Sequence, residues 1–413
     1  MTQRTRALPA GLIALALGGF GIGLTEFGIA GLLPEIAADF AVTANIAGYL
    51  VSGYALSVAV GAIVLTAAVA RVERKRVLLG LVVLFILGNL ISALAPTYEV
   101  MLIGRIVAAL CHGAFFGVGA VVASDMVAED KKAGAISLMF AGLTVANVVG
   151  IPFGTFVGQQ FGWRATFWAI TAIGIVTFLG IQLLVGKSPA PPTGNLRQEL
   201  GVLRRPQVLL SATVSILTFG AVVGAYTYIA FTLTEVTGFA ASTVPWLLLL
   251  FGVGTFIGNL VGGRLADWSL DRSLLTILVA LIVTLTGFAL TASIVGTTLV
   301  AMFLLGAVGF ATAPGLQLRI MRFAGDAPTV ASGANIAALN IGNAVGAWLG
   351  GVTIAAGLGF VSPLYVGAAL AVVALLVLAP TSLAARRRTS AETTTATSPA
   401  PTADVTPQPE RGV

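Results

Sequence analysis

Twelve apolar runs follow one another along this chain, near 10–32, 46–69, 77–95, 100–123, 134–157, 165–185, 209–231, 243–264, 274–293, 297–318, 330–355 and 361–380. Each is long enough, at roughly 20 residues, to cross a bilayer as an α-helix. Only 9% of residues are charged, against roughly 25% in a soluble protein, and the mean hydropathy is +1.01. A transmembrane barrel is excluded, because barrel strands alternate in polarity over about ten residues and these runs do not. The expected fold class is therefore all-α membrane protein with twelve transmembrane helices. The 50 glycines suit it, since small residues let membrane helices approach closely.

A sequence pI near 9.8 could suggest nucleic acid, but the basic residues sit in loops between apolar runs, which argues against such a partner. With the N-terminus in the cytoplasm, the inner loops hold Arg71, Arg74, Lys75, Arg76, Lys131, Lys132, Lys187, Arg197, Arg204, Arg205, Arg264, Arg272, Arg319 and Arg322. The outer loops hold Glu35, Asp39, Glu99 and Glu235, with Arg164 their lone basic residue. That asymmetry places both termini inside. Arg4 and Arg6 ahead of the first run read as the flank of an uncleaved first helix.

The two halves repeat. Asn147, Gly150 and Gly154 in the fifth run read N-x-x-G-x-x-x-G, and Asn343, Gly346 and Gly350 in the eleventh read the same, 343 − 147 = 196 residues later. Such repeats put a binding site between two pseudo-symmetric six-helix halves, near mid-membrane. The expected organisation is an N-terminal half over 1–185, a cytoplasmic linker over 186–207, a C-terminal half over 208–382 and a disordered tail over 383–413 rich in Thr, Pro and Ala.

With a single cysteine, Cys111, no intramolecular disulfide can form. One Cys and one His make no metal cluster, and no nucleophile–base constellation points to an enzyme. GIQLLVGKS at 180–188 has the wrong glycine spacing for a phosphate loop. No cofactor is expected, and uphill transport would draw on an ion gradient.

Glu26 lies in the first run, with only apolar residues, glycine and Thr25 for about five positions on either side. A charge in hydrocarbon is expensive and marks a functional position. Arg105 lies in the fourth run at similar depth, roughly 9–11 Å below the outer interface at 1.5 Å per residue, so pairing is feasible. Desolvation favours a protonated Glu26 and an opposite charge an ionised one; a carboxylate between these can take up and release a proton. A static buried ion pair is the blander alternative. His112, two turns along, is either a proton relay or a neutral histidine bonded to another helix. Phe27, Phe115, Phe116, Tyr226 and Tyr228, with Asn147 and Asn343, are candidates to line a central cavity, because a mid-span amide needs a partner. Pro152, flanked by Gly150 and Gly154, should bend the fifth helix.

These features resemble the major facilitator superfamily, whose loop motif runs Gly-x-Leu-Ala-Asp-Arg-x-Gly-Arg-Lys. Gly263, Leu265, Ala266 and Asp267 match the C-terminal copy. The N-terminal copy keeps Arg71, Arg74 and Lys75, with Ala70 in place of the Asp and Glu73 in place of the second Gly. TEFGIAGLLPEIA, GRIVAALCHGAFFG, NVVGIPFG, GWRATF, YTYI and NIGNAVGAWLGG are similar to the drug:proton antiporter-1 family, in its arabinose-efflux-like branch of bacterial inner-membrane exporters. The resemblance covers about 10–380. It implies an exporter of small, lipophilic drug-like molecules, for example chloramphenicol, in exchange for protons; the chain is expected to act as a monomer. Glu26 and Arg105 would take part in coupling, and Asp267 and Arg71 in gating. The alternative substrate is a sugar or a nucleoside; a sensor on this fold would be expected to append a folded regulatory domain.

Overall fold

The computed structural model describes residues 9–69, 72–186, 201–324 and 328–396. Among these the regular elements are helices, with no strand. Eleven helical stretches are long and apolar enough to cross a bilayer. One of them contains Val244–Thr291, two helices joined where Ser269 turns extended (φ −161°, ψ 95°). Counted as two, it completes the expected twelve spans. The first six are Ala10–Gly31, Ala44–Leu65, Arg74–Leu94, Tyr98–Asp125, Gly134–Phe161 and Trp163–Leu184. The seventh is Pro206–Thr227, the eighth and ninth share Val244–Thr291, and the last three begin at Val295, Val330 and Ser362. Large apolar side chains such as Ile13, Ile63, Phe153, Leu183, Trp246 and Leu290 point outward, the arrangement of a protein whose surrounding solvent is lipid tails.

Packing repeats between the halves. The first span lies against the fifth as the seventh lies against the eleventh, and the third lies against the sixth as the ninth lies against the twelfth. The halves meet where the second span packs on the eleventh and the fifth on the eighth.

Glycine makes these approaches possible. A Cβ on Gly142 would strike the Ala16 carbonyl, and one on Gly342 the Ile216 carbonyl. Both partners lie 200 residues apart (342 − 142 and 216 − 16), one helical turn more than the motif offset. Gly346 sits on the backbone of Gly220, with main chain on both sides and no flexible side chain to yield. Gly333, on the same eleventh span, faces open space. The same Gly→Ala change should therefore act with opposite signs. Gly333→Ala gains helix propensity, up to about 1 kcal/mol, whereas Gly346→Ala forces two helices apart and costs about 1–3 kcal/mol. Thermal denaturation of the two variants in detergent checks this; a Gly346→Ala protein as stable as Gly333→Ala would remove the close-approach argument.

The end of the bundle opposite the basic loops is tied across the halves. Gln159 Nε2, on the fifth span, donates to Glu35 Oε1 (3.1 Å) and to the Ala241 carbonyl (3.0 Å) ahead of the eighth. Two acceptors fix which way that amide points. Burial pushes the Glu35 carboxyl above the usual carboxylate range. Asp39, nearby, accepts from Arg164 (2.7 Å) and Trp163 (3.1 Å), and the Arg164 hydrogen bond holds its carboxyl below that range.

One expectation changes. The twelfth helix runs from Ser362 to Ala396, through the start of the stretch expected to be disordered. It passes through Pro380, and beyond that residue neither Pro nor Gly occurs before Pro399. Residues 397–413 lie outside the described residues, as do 187–200 of the linker, whose last part, Gly201–Arg204, forms a 3-10 turn.

Candidate functional site

The first span is α-helical to Phe27 and tightens to a 3-10 turn over Gly28–Gly31. Its last α-turn therefore carries carbonyls that the α ladder does not satisfy. Three consecutive residues there serve three neighbours. The Thr25 hydroxyl donates back to Gly21 (2.9 Å), and the Thr25 carbonyl accepts from Arg105 Nη1. Glu26 faces the fourth span. Phe27 reaches across to the C-terminal half.

Arg105 is fully buried. Its Nε donates to the Leu50 carbonyl (3.3 Å) of the second span, and its guanidinium lies 4.2 Å from the centre of the Tyr54 ring. It holds the second and first spans together by their main chain. The pairing with Glu26 that similar depth made feasible is not formed within 4 Å among the described residues. Instead Glu26 Oε2 lies 3.9 Å from His112 Nδ1, and the Tyr54 hydroxyl lies 3.5 Å from the same nitrogen. The reason is local: the unsatisfied Thr25 carbonyl takes the guanidinium. Glu26 is 10% exposed and His112 is 7% exposed. A carboxylate and an imidazole are thus in contact inside the bundle, and both can gain and lose a proton.

On the other side of the first span an aromatic cluster crosses the two halves. The Phe27 ring meets Tyr226 at 6.5 Å and Phe310 at 6.3 Å, both edge-on. Tyr226 stacks on Phe251 at 4.3 Å, and Phe310 also touches Phe219 and Phe251. Such pairs favour these offset and edge-to-face arrangements. The cluster draws on the first, seventh, eighth and tenth spans.

Asn147 borders it. The fifth span makes a π-turn over Ala146–Gly150, in which the Ile151 N–H reaches back five residues to Ala146. Pro152 supplies the cause, since it has no N–H to continue the ladder. Gly154 lets Leu24 close in and offers its carbonyl to Thr166 (2.7 Å). The main chain at Asn147 presses on Gly252, the residue after Phe251.

The model of the Major Facilitator Superfamily matches residues 15–337 and 233–409, nearly the whole chain. This chain belongs to the Major Facilitator Superfamily. Among its relatives, inner membrane transport protein YdhP of Escherichia coli K12 is 42% identical over 88% of this chain and 94% of its own. A chloramphenicol resistance protein of Streptomyces lividans is 35% identical over 90% of this chain and 96% of its own. A solved structure of a mutant of the peptide transporter POT superposes with a TM-score of 0.73, covering 91% of this chain and 94% of that one at 13% identity, which speaks for the fold alone. The protein is thus a multi-pass membrane transporter of the major facilitator type, not an enzyme.

Within this facilitator fold the expected site residues separate. Glu26, Arg105, His112 and Phe116 form one group, with Phe116 5.4 Å from the His112 ring and stacked on Phe140 at 4.9 Å. Phe27, Tyr226 and Asn147 form the second. Asn343 is buried on the eleventh span beside Gly342, which packs on Gly220. Tyr228 belongs to neither: its hydroxyl donates to the Ala347 carbonyl (2.9 Å) and its ring fills the space at Gly48, Gly350 and Gly351. It cements the second, seventh and eleventh spans. Asp267 is exposed; the ion pair of that loop is made by Asp271 with the buried Arg319. Arg71 lies outside the described residues. Phe219, Phe251 and Phe310 were not anticipated. Phe219 was findable, because it stands seven residues, two helical turns, before Tyr226 and so shares its face.

Proposed function

We propose that this protein is a secondary active transporter of a bacterial inner membrane, with both termini in the cytoplasm, that exports small lipophilic molecules in exchange for protons. It works as a monomer by alternating access. The observation that carries this reading is the position of Glu26 and Phe27. One residue meets an imidazole inside the bundle, and the next residue of the same helix enters an aromatic cluster shared by both halves. A proton taken by the first can thereby bias how the second meets its partners. A ligand shifts a two-state equilibrium only through differential affinity, and the proton is that ligand here. The aromatic walls suit a ligand of low polarity, and the similarity to a chloramphenicol resistance protein fits this substrate class.

Everted membrane vesicles with an acid interior test the proposal. Chloramphenicol and other lipophilic compounds should dissipate the pH gradient of vesicles holding the protein and leave that of vesicles without it unchanged. A response to sugars alone would transfer the reading to sugar efflux. Substrate movement that leaves the pH gradient untouched would refute antiport.

A further inference from the structure

Many polar side chains inside the spans are bonded, and Asn340, whose Oδ1 is buried without a partner, still donates its Nδ2 to the Ile336 carbonyl (3.0 Å). Ser92, Thr171, Ser211 and Thr227 donate to the carbonyl one turn back, and Ser215, Asn335, Gln317 and Ser332 are joined in a line by three hydrogen bonds of 2.7 Å each. Tyr226, Asn147 and Asn343 stand out. The Tyr226 hydroxyl and the Oδ1 of both asparagines are buried without a partner, in side chains that are 2%, 8% and 3% exposed. The hydroxyls of Thr155, Thr177 and Thr218 are also unpartnered, but a threonine can turn to a carbonyl of its own helix. A phenol on a rigid ring and an amide oxygen, which needs an N–H where its helix offers only carbonyls, have no such local remedy.

We infer that these three groups are the polar contacts of the substrate site, and that the site selects an uncharged aromatic solute carrying amide or hydroxyl groups over a cation of the same shape. This rests on the reading above that the aromatic cluster is where substrate binds. Tyr226 is part of that cluster, the main chain of Asn147 is pressed on the residue after Phe251, and Asn343 follows Gly342, whose carbonyl faces the residue after Phe219. Two amides and a phenol can donate and accept, but none carries charge. The carboxylate in reach, Glu26, faces His112 on the far side of its helix. A buried cation would have ring faces and no counter-ion; a neutral amide or alcohol would satisfy the three groups. A nucleoside falls inside this class. A simple sugar, with hydroxyl groups but no aromatic ring, falls outside it.

Two probes with one skeleton separate the cases: N-acetylphenylalaninol, a neutral aryl amide alcohol, and phenylalaninol, its ammonium counterpart. Binding to the detergent-purified full chain by isothermal titration should favour the neutral probe by about tenfold, and Tyr226→Phe and Asn147→Leu should each weaken it about five- to a hundredfold, with little change for the cation. Neither variant should lower the melting temperature of the empty protein, because each removes an unbonded polar group; a structural role for these side chains would lower it. No binding of the neutral probe, preference for the cation, or unchanged affinity in both variants would overturn the inference. Binding without any proton exchange in vesicles would instead overturn antiport and leave this inference standing.

Discussion

Glu26→Gln should abolish substrate-dependent dissipation of a pH gradient while leaving the protein folded and able to bind N-acetylphenylalaninol. Glutamine keeps the shape and the polar end of glutamate but has no proton to exchange. A gradient of one pH unit supplies a tenfold difference in proton activity, about 1.4 kcal/mol per proton. That contribution falls to zero if the exchanging group is gone, so the variant should equilibrate substrate without accumulating it. Glu26→Asp keeps the acid but withdraws it by one methylene from His112, already 3.9 Å away in the wild type; it should couple with a shifted pH dependence. His112→Gln distinguishes relay from neighbour. If the imidazole hands the proton on, coupling is lost as in Glu26→Gln; if it only faces the carboxylate, coupling survives. The readout is dissipation in everted vesicles together with accumulation ratio. Gradient-driven accumulation in Glu26→Gln equal to wild type would move the coupling site away from the first span.

The first member of this site was legible because charge is rare in hydrocarbon. Glu26 and Arg105 announce themselves in any apolar run, and the length of the runs fixed the number and order of the helices. What each charge touches was not legible. Whether Arg105 meets the Glu26 carboxylate or the Thr25 carbonyl depends on the switch from α to 3-10 at Gly28, a change of one turn's pitch that leaves no mark in composition. The aromatic cluster was half visible for a different reason. In a soluble helix the polar face tells which side is outward, but a membrane span is apolar all round. Phe251 in the cluster and Phe256 on the surface stand on the same eighth span, and no pattern of polarity separates them. The asparagines were easier, since an amide in a span has to find a partner or a use. Tyr228 shows the limit of that logic, because its polar tip found a carbonyl and its ring found glycines.

The loop after the eighth span makes the same point through stability. The motif there draws attention to Asp267, but Ser269 breaks the helix, and the following turn carries Asp271 onto Arg319. Arg319 is buried at 2% side-chain exposure, while Asp271 keeps 18%. Asp271→Ala takes from the buried Arg319 a charge-assisted hydrogen bond and should cost about 1.5–3 kcal/mol, with the partial exposure of Asp271 placing it near the lower end. Asp267→Ala, at an exposed carboxylate, should stay within about 0.5 kcal/mol of wild type. The double variant Asp271→Ala with Arg319→Met should recover much of the loss, because replacing both charges by apolar groups removes the desolvation cost along with the attraction. Thermal denaturation in detergent of these proteins decides it. A larger loss for Asp267→Ala than for Asp271→Ala, or a double variant no better than Asp271→Ala, would return the stabilising role to the motif aspartate. The expected order also separates two uses of acid in this chain: Asp271 holds a loop in place from the edge of the bundle, whereas Glu26, which makes no ion pair with a guanidinium within 4 Å among the described residues, is the group proposed to exchange its proton.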